Sequence, residues 1–233
     1  MILLKTCSFL LTIVFFYAAK KLNKKKPGML FSPAIVAPAG LILLLLLTDI
    51  PYQAYSEGTS AISEMMGVVT VAFAVPLYRN WSVLMAHRRM IIYSLATGSL
   101  IAIVAGVSTT MLLGLGKVAA ISVIPRSITL PVAVSVSEAI GGMPTMTAVF
   151  GMLTSFAGVF LAPTIIKRLK LRQPVSIGLM YGMGSHALGM VKSFERGELE
   201  GSSSTLAVIA GAIITVIWSF TLMPVITMWL AAV

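Results

Sequence analysis

The sequence predicts an all-α polytopic membrane protein, and three observations carry that prediction. The mean hydropathy is +0.99, 58% of the 233 residues are hydrophobic, and only 10% are charged. Soluble proteins carry about 25% charged residues. Twelve of the 17 Lys and Arg residues fall in three clusters that contain no acid. The uncharged stretches between these clusters are long enough to cross a bilayer, which takes about 20 apolar residues.

The three basic clusters orient the chain, because short cytoplasmic loops collect Lys and Arg. The clusters are residues 20–26, 79–89 and 167–172, while the acidic segments 49–58 and 195–200 lie between spans. Alternation of sides predicts about seven spans, with the N-terminus outside and the C-terminus inside. Basic residues beside an anionic leaflet need no nucleic-acid partner, so the lipid bilayer is the predicted partner of these clusters.

Each continuous span is bounded by charged residues or by turn residues, and residues 1–233 are expected to form a single membrane domain. No linker or soluble domain interrupts them. The predicted continuous spans are Ile2–Ala19, Met29–Thr48, Thr59–Tyr78, Met90–Gly114, Thr145–Ile166 and Thr205–Leu230.

Residues 116–144 are expected to fold back within the membrane as a re-entrant hairpin. They connect two spans on the outer side, and each apolar half is about ten residues, which as helix covers half of a hydrocarbon core. The tip would be residues 125–129. The alternative is a surface loop with an interfacial helix that lies along the outer leaflet. The residues that break or start helices here are Pro125, Pro131, Gly141, Gly142 and Pro144.

Residues 174–193 are expected to form a discontinuous spanning helix that emerges outside at the acidic segment 195–200. Gly184 and Gly189 flank Ser185 and His186, and repeated Gly permits local unwinding or close helix contact. The hairpin together with this broken helix raises the possibility of an inverted-repeat transporter fold.

The hairpin tip carries the strongest candidate site, because the second half-helix would begin there. A helix N-terminus attracts anions. Arg126 stands beside it, and the Ser127 and Thr129 hydroxyls are adjacent. These groups together suit a small carboxylate. The alternative is that Arg126 is an interfacial cation and that the hydroxyls are ordinary helix caps.

His186 is the second candidate, because a His in a broken intramembrane helix can bind substrate or carry a coupled proton. It can equally be a buried His that only bonds a backbone carbonyl. Glu138 and Glu64 are further candidates for ion coupling, with interfacial positions as the alternative. Ser185 lacks a GxSxG context, so a hydrolase is not expected. One cysteine and two histidines give no basis for a metal site, and neither a cofactor nor an enzymatic activity is predicted.

The motifs resemble those of the LrgB/CidB family of bacterial membrane proteins. They are PRSITLPVA at residues 125–133, IGGMP at 140–144, GSHALG at 184–189 and EGSSSTLA at 200–207. The likeness covers nearly the whole chain and implies a multi-pass protein of the bacterial cytoplasmic membrane. The chain departs from the family pattern at Met183-Gly184 and at residues 189–191, both beside the candidate site.

The resemblance implies two different functions. One is transport, because relatives include pyruvate facilitators and the chloroplast glycolate/glycerate translocator. The other is antiholin-like regulation of murein hydrolases and autolysis, with a smaller LrgA/CidA-type membrane partner. We favour a monocarboxylate transporter working by alternating access, for substrates such as pyruvate, lactate, glycolate or glycerate. Arg126, Ser127, Thr129, Ser185 and His186 would bind the substrate. A second copy of the chain, in a homo-oligomer, is a further candidate partner.

Overall fold

The computed structural model describes residues 2–25 and 31–232, and these residues are helical nearly throughout. The described chain divides into two compact units, Met1–Ala72 and Phe73–Val233. The single-domain expectation stays a prediction. The helices are α1 (Ile2–Lys25), α2 (Pro33–Thr48), α3 (Tyr52–Gly58), α4 (Ser60–Ala72), α5 (Ala74–Arg79), α6 (Trp81–Ala86), α7 (Arg88–Leu112), α8 (Gly116–Ser122), α9 (Leu130–Ala139), α10 (Pro144–Arg168), α11 (Pro174–Arg196) and α12 (Glu198–Ala232).

The first unit contains α1 to α4 and differs from the prediction at helix ends. Helix α1 continues past Ala19 into the lysine cluster. The positive charges of Lys24 and Lys25 in its last turn interact favourably with the negative C-terminal end of the helix dipole. The predicted start of the second span, Met29, lies outside the described residues. Helix α2 begins at Pro33 and ends before Asp49, whose φ is 52°. Within the acidic segment the chain forms the short helix α3.

The predicted span Thr59–Tyr78 is not one helix but divides at Phe73 into α4 and α5. Pro76 gives the physical reason. Proline has no N–H to donate to the carbonyl of residue 72, and its ring disfavours a continuous helix through that position. The prediction of an unbroken third span is therefore wrong.

Three helices of the second unit are long and apolar enough to cross a membrane, judged by length and composition among the described residues. They are α7, α10 and the stretch Glu198–Trp229 of α12. The bounds of α7 and α10 agree with those of the predicted fourth and fifth spans to within two residues at each end. The total of about seven spans stays a prediction.

Two short helices, α8 and α9, fold between α7 and α10, and we call residues 116–139 hairpin 1. A 3₁₀ turn, Ile124–Ser127, follows α8, and Ile128 is extended with φ −129° and ψ 170°. Pro131 stands in the first turn of α9, where its missing N–H has no partner to lose. The chain leaves α9 through Gly141, whose φ of 83° suits glycine. The depth of hairpin 1 in the membrane stays a prediction.

Helix α11 is interrupted at His186, whose φ of 45° and ψ of −125° are not helical. After this residue the chain turns back on itself. Gly189 lies directly against the carbonyl group of Tyr181 and the Cβ of Ser185. In a straight helix residues 181 and 189 would be about 12 Å apart. The two halves of α11 therefore pack together, and we call residues 174–196 hairpin 2.

Hairpin 2 returns to the end at which it began, which corrects the predicted spanning helix. Its first half runs parallel to α12, because Gly178 packs on Ser203 and Gly182 packs on Ala207. From the first contact to the second, the sequence advances by four residues in hairpin 2 and by four residues in α12. The start of α12 therefore lies beside the start of hairpin 2, so residues 187–196 must bring the chain back.

The acidic segment 195–200 lies on the same end of the unit as the second basic cluster, not on the opposite end as predicted. A Glu198 carboxylate oxygen is 4.0 Å from Arg79 Nη1. The Ser202 hydroxyl donates to the Pro76 carbonyl oxygen at 2.9 Å and accepts from Asn80 Nδ2 at 3.0 Å. The predicted placement of Arg79 and Glu198 on opposite sides is therefore wrong.

The second unit repeats one pattern twice, a long helix followed by a hairpin. Helix α7 leads into hairpin 1, and α10 leads into hairpin 2. The two long helices run in opposite directions. Along α7, Gly98 lies by Met183 of hairpin 2 before Gly106 lies by Val123 of hairpin 1. Along α10, Gly151 lies by hairpin 1 before Gly158 reaches hairpin 2. The hairpins therefore enter the unit from opposite ends.

Candidate functional site

The tips of the two hairpins meet through one hydrogen bond. His186 Nε2 lies 3.1 Å from the carbonyl oxygen of Arg126. Because a carbonyl can only accept, Nε2 carries the proton in this bond and Nδ1 is left as an acceptor in the neutral ring. The structure thus brings together the two residues that the sequence singled out, although they are 60 positions apart.

The Arg126 side chain is held by both long helices. Nη1 donates to Thr154 Oγ1 on α10 at 2.9 Å, and Nη2 donates to the Ala102 carbonyl oxygen on α7 at 3.2 Å. Gly106 leaves room for the side chain, since a Cβ there would lie 3.1 Å from Nε. Ala102 and Thr154 are each near the middle of a 25-residue helix.

The guanidinium of Arg126 bonds to neutral oxygens in this structure. The ion pairs formed by the described residues of this unit are Arg79–Glu198 and Lys192–Glu195, both near the end where hairpin 2 begins. Arg126 is partly buried between helices, where a charge without a counter-ion is costly. The site is therefore suited to an anion.

Two half-helices begin at the meeting point of the hairpins. Helix α9 begins after Thr129, which makes no side-chain cap hydrogen bond, and the second half of α11 begins after His186. The first-turn N–H groups of a helix have no partner within the helix, and its N-terminus carries a partial positive charge. Both ends therefore add to the positive potential around Arg126.

The Ser185 hydroxyl is the second feature that indicates a ligand. Its side chain is 1% exposed, its oxygen makes no hydrogen bond, and it lies against Gly158 of α10. A buried hydroxyl without a partner costs about 1–3 kcal/mol. Ser127 is buried at the tip of hairpin 1, and Thr129 beside it is partly exposed. These hydroxyls lie within a few residues of Arg126 or His186.

Of the two acids suggested for ion coupling, Glu138 is not part of this cluster. Glu138 is exposed on the last turn of α9, about 12 Å along the axis from the start of that helix. Glu64 is exposed on α4 in the first unit. Their role in coupling stays a prediction.

The predicted helix-breaking residues divide into two groups. Pro125 and Pro131 stand at the tip and at the second helix start of hairpin 1, whereas Gly141, Gly142 and Pro144 stand at the turn between α9 and α10. Gly184 and Gly189 lie within helical backbone, and His186 is the residue that breaks α11. Gly189 serves instead as a point of close packing. The assignment of the break to the two glycines is therefore corrected.

Sequence reasoning missed the residues that hold the site in place. Thr154, Ala102 and Gly106 surround the Arg126 side chain, and nothing in their own neighbourhoods distinguishes them from other small residues of apolar spans. It also missed the base of hairpin 1, where Thr147 Oγ1 lies 2.8 Å from the Ser122 carbonyl oxygen and 2.6 Å from Ser137 Oγ. The signal that could have identified Thr147 and Thr154 is the presence of hydroxyl groups in an otherwise apolar helix.

Comparisons with known proteins agree with the motifs. A family model described as the LrgB-like family matches residues 12–225. The chain is 38% identical over 208 residues to the uncharacterized protein YwbG of Bacillus subtilis, covering 89% of this chain and 92% of that protein. It is 33% identical over 217 residues to the holin-like protein CidB of Staphylococcus aureus, covering 93% of each. No solved structure matches this chain significantly. A match of this extent, over both hairpins and their tips, means that the chain belongs to the LrgB-like family.

Proposed function

We propose that this membrane protein transports small monocarboxylates by alternating access. The observation that carries the proposal is the junction of the two hairpin tips, where Arg126 has only neutral partners among the described hydrogen bonds and ion pairs. A charge in such a position within a membrane protein is costly unless it has a function. A carboxylate would supply the missing counter-charge.

The substrate carboxylate would bind the remaining N–H groups of Arg126 together with the first turn of α9. Two of the five guanidinium N–H groups are used by Thr154 and Ala102, so a bound anion can still accept two hydrogen bonds. Ser127, Thr129 and Ser185 would bind the keto or hydroxyl oxygen of the substrate. His186 would orient it or carry a coupled proton, with Nδ1 as the accepting atom.

Alternating access follows from the paired arrangement of long helix and hairpin. Hairpins that enter from opposite ends each close one route to the shared site, and secondary transporters built from inverted repeats place their sites between such elements. Opening at one end would require the contact between His186 and the Arg126 carbonyl to break. In the present state this contact joins the two hairpins.

The basic clusters support an orientation for the second unit. If the ends that carry Arg79, Arg88 and Lys170 are cytoplasmic, hairpin 2 enters from the cytoplasm and α12 runs outward, leaving the C-terminus outside. Single cysteines at positions 170 and 198 in a Cys7→Ser background test this. Both should be protected from an impermeant thiol reagent in intact cells and labelled in inside-out vesicles. Labelling of position 198 from outside would contradict the orientation.

Uptake by purified protein in liposomes tests the transport function. Vesicles should accumulate labelled pyruvate, lactate, glycolate or glycerate, and an unlabelled competitor should reduce that uptake. The assay is run with and without a smaller LrgA/CidA-type membrane protein, the partner that we propose. Absence of uptake of all four acids in both arms would reject the proposal.

The second candidate function is antiholin-like control of murein hydrolases and autolysis. The CidB relatives are named holin-like proteins, which favours this function. Such a regulator would act through helix contacts with a partner and would need no anion at Arg126. Autolysis that changes on deletion and is restored by an Arg126→Ala variant unable to transport would favour this function over transport.

A further inference from the structure

Thr154 differs from most hydroxyl residues in the helices of this unit. The usual partner of such a hydroxyl is the carbonyl three or four residues earlier in the same helix, and this holds for Thr97, Thr109, Thr205 and Ser219. The Thr154 hydroxyl instead accepts a hydrogen bond of 2.9 Å from Arg126 Nη1, 28 residues earlier in the chain. Its orientation is therefore determined by the arginine.

We infer that Thr154 is a positioning residue for the Arg126 guanidinium and thereby sets the affinity for the carboxylate. A guanidinium is planar, so two bonds from different nitrogens to different helices define its plane. Thr154 supplies one of these bonds from α10, and the Ala102 carbonyl supplies the other from α7. The inference rests on the proposed function and assigns a residue outside the two hairpins to the same site.

The arrangement would keep the arginine in place during a movement of hairpin 2. Both acceptors belong to long helices, whereas the contact with hairpin 2 uses only the backbone carbonyl of Arg126. Gly106 leaves the space that the Arg126 side chain occupies, because a Cβ there would lie 3.1 Å from Nε and 3.3 Å from Val123 Cγ1. Breaking the contact with His186 would leave the guanidinium held by α7 and α10.

Thr154→Val tests the inference because valine keeps the shape of threonine and removes the hydroxyl. We expect KM for the transported carboxylate to rise about ten-fold, which corresponds to one charged hydrogen bond, with kcat changed less than about two-fold. Thr154→Ser retains the hydroxyl and should restore a KM near that of the wild type. Thr97→Val is the matched control, since the Thr97 hydroxyl is exposed and bonds only within α7.

A second variant keeps the test decisive if Thr154→Val does not fold. Gly106→Ala places a methyl group beside Nε and should also raise KM, with Thr154 unchanged. Binding is measured independently as the shift in thermal unfolding that pyruvate, lactate, glycolate or glycerate causes in detergent. Both variants should need higher concentrations of the acid for the same shift.

The outcomes separate this inference from the proposed function. If the wild type neither binds nor transports any of the four acids, the proposed function fails. If the wild type binds an acid and Thr154→Val binds it equally well, the positioning role is wrong. It is also wrong if Thr154→Ser is as poor as Thr154→Val, because the hydroxyl is then not the group that matters.

Discussion

The two hairpins have a similar outline, yet their arms are held together by different means. At the base of hairpin 1 the buried Ser122 hydroxyl is bonded: its Oγ donates to the Val118 carbonyl oxygen and accepts from the Met143 N–H, both at 2.7 Å. Hairpin 2 relies on glycine. Gly189 lies against the Tyr181 carbonyl, and the buried hydroxyls of Ser185 and Ser193 have no partner.

The difference indicates which hairpin can rearrange. An unpaired buried hydroxyl costs about 1–3 kcal/mol, so another arrangement or a bound ligand can lower the free energy of hairpin 2. Hairpin 1 has already satisfied the hydroxyls at its base. We therefore expect hairpin 1 to remain fixed to α10 and hairpin 2 to move during the proposed transport cycle, and each variant below tests this difference.

The largest effect is expected from removal of the charge on the fixed hairpin. Arg126→Ala should weaken carboxylate binding by about one to two orders of magnitude and abolish measurable uptake, because it deletes a charged hydrogen bond to the substrate. The measurement is uptake into liposomes at several concentrations of the acid, with folding checked by gel filtration.

Two further variants are compared with Arg126→Ala: Arg126→Lys as the conservative change and Arg196→Ala as the control. Lysine keeps the charge but cannot form the planar fork, so partial uptake is expected. Arg196 is exposed at the end of hairpin 2 and should tolerate alanine. Full uptake by Arg126→Ala would show that the fixed hairpin carries no substrate site.

The next effect concerns close packing in hairpin 2. Gly189→Ala adds a Cβ that meets the backbone of Tyr181, which cannot move aside as a side chain can, whereas a Cβ at Gly184 meets nothing within 4 Å. We expect Gly189→Ala to lower the free energy of unfolding by about 1–3 kcal/mol. Gly184→Ala should be neutral or stabilising by up to about 1 kcal/mol, because alanine favours helix. Thermal unfolding in detergent compares the pair, and equal Tm values would contradict the packing of the two arms.

The same chemical change should have opposite consequences in the two hairpins. Ser122→Ala leaves the Met143 N–H without its acceptor and should destabilise by about 1–3 kcal/mol. Ser193→Ala removes a hydroxyl that has no partner and should be neutral or stabilising. Both serines are fully buried, so burial does not separate them. Destabilisation of equal size would mean that the Ser193 hydroxyl is bonded and that the comparison fails.

Local chemistry accounts for the parts of this structure that the sequence predicted. Pro125 and Pro131 restrict the backbone and Gly141 permits a positive φ, so two short helices joined by an irregular tip follow from residues 116–144. Arg126 and His186 stand out because polar, ionisable groups are rare in such apolar segments. Contact between these two residues could be expected only because both were predicted to lie near the middle of the membrane.

The direction of hairpin 2 could not be read from the sequence in the same way. The five apolar residues that follow His186, residues 187–191, fit a chain that continues across a bilayer as well as one that returns, and their hydropathy is identical in both cases. The charges that follow do not decide it either, since Lys192 and Arg196 alternate with Glu195 and Glu198. The answer depends on packing, namely Gly189 against Tyr181 and Gly178 against α12. Thr154 was missed for a related reason, because a hydroxyl on a helix can usually bond to its own backbone.

The smallest effect should separate two contributions of His186. Its φ of 45° belongs to a region that favours glycine, while its ring donates a hydrogen bond to the Arg126 carbonyl. Alanine at this position loses the bond and keeps the backbone strain, whereas glycine loses the bond and relieves the strain. His186→Gly should therefore be more stable than His186→Ala by about 1 kcal/mol, or about 2–4 °C in Tm for a protein of this size.

The comparison of these variants with the wild type tests whether the strain belongs to the moving hairpin. Both should transport less well than the wild type, because the contact that joins the tips is absent. His186→Gln can still donate to the carbonyl and should retain more uptake than either. If His186→Ala and His186→Gly unfold at the same temperature, residue 186 does not hold a glycine-like backbone in the membrane. Hairpin 2 would then lack the sharp turn that brings its second arm back along Tyr181, and the contrast with hairpin 1 would lose its physical basis.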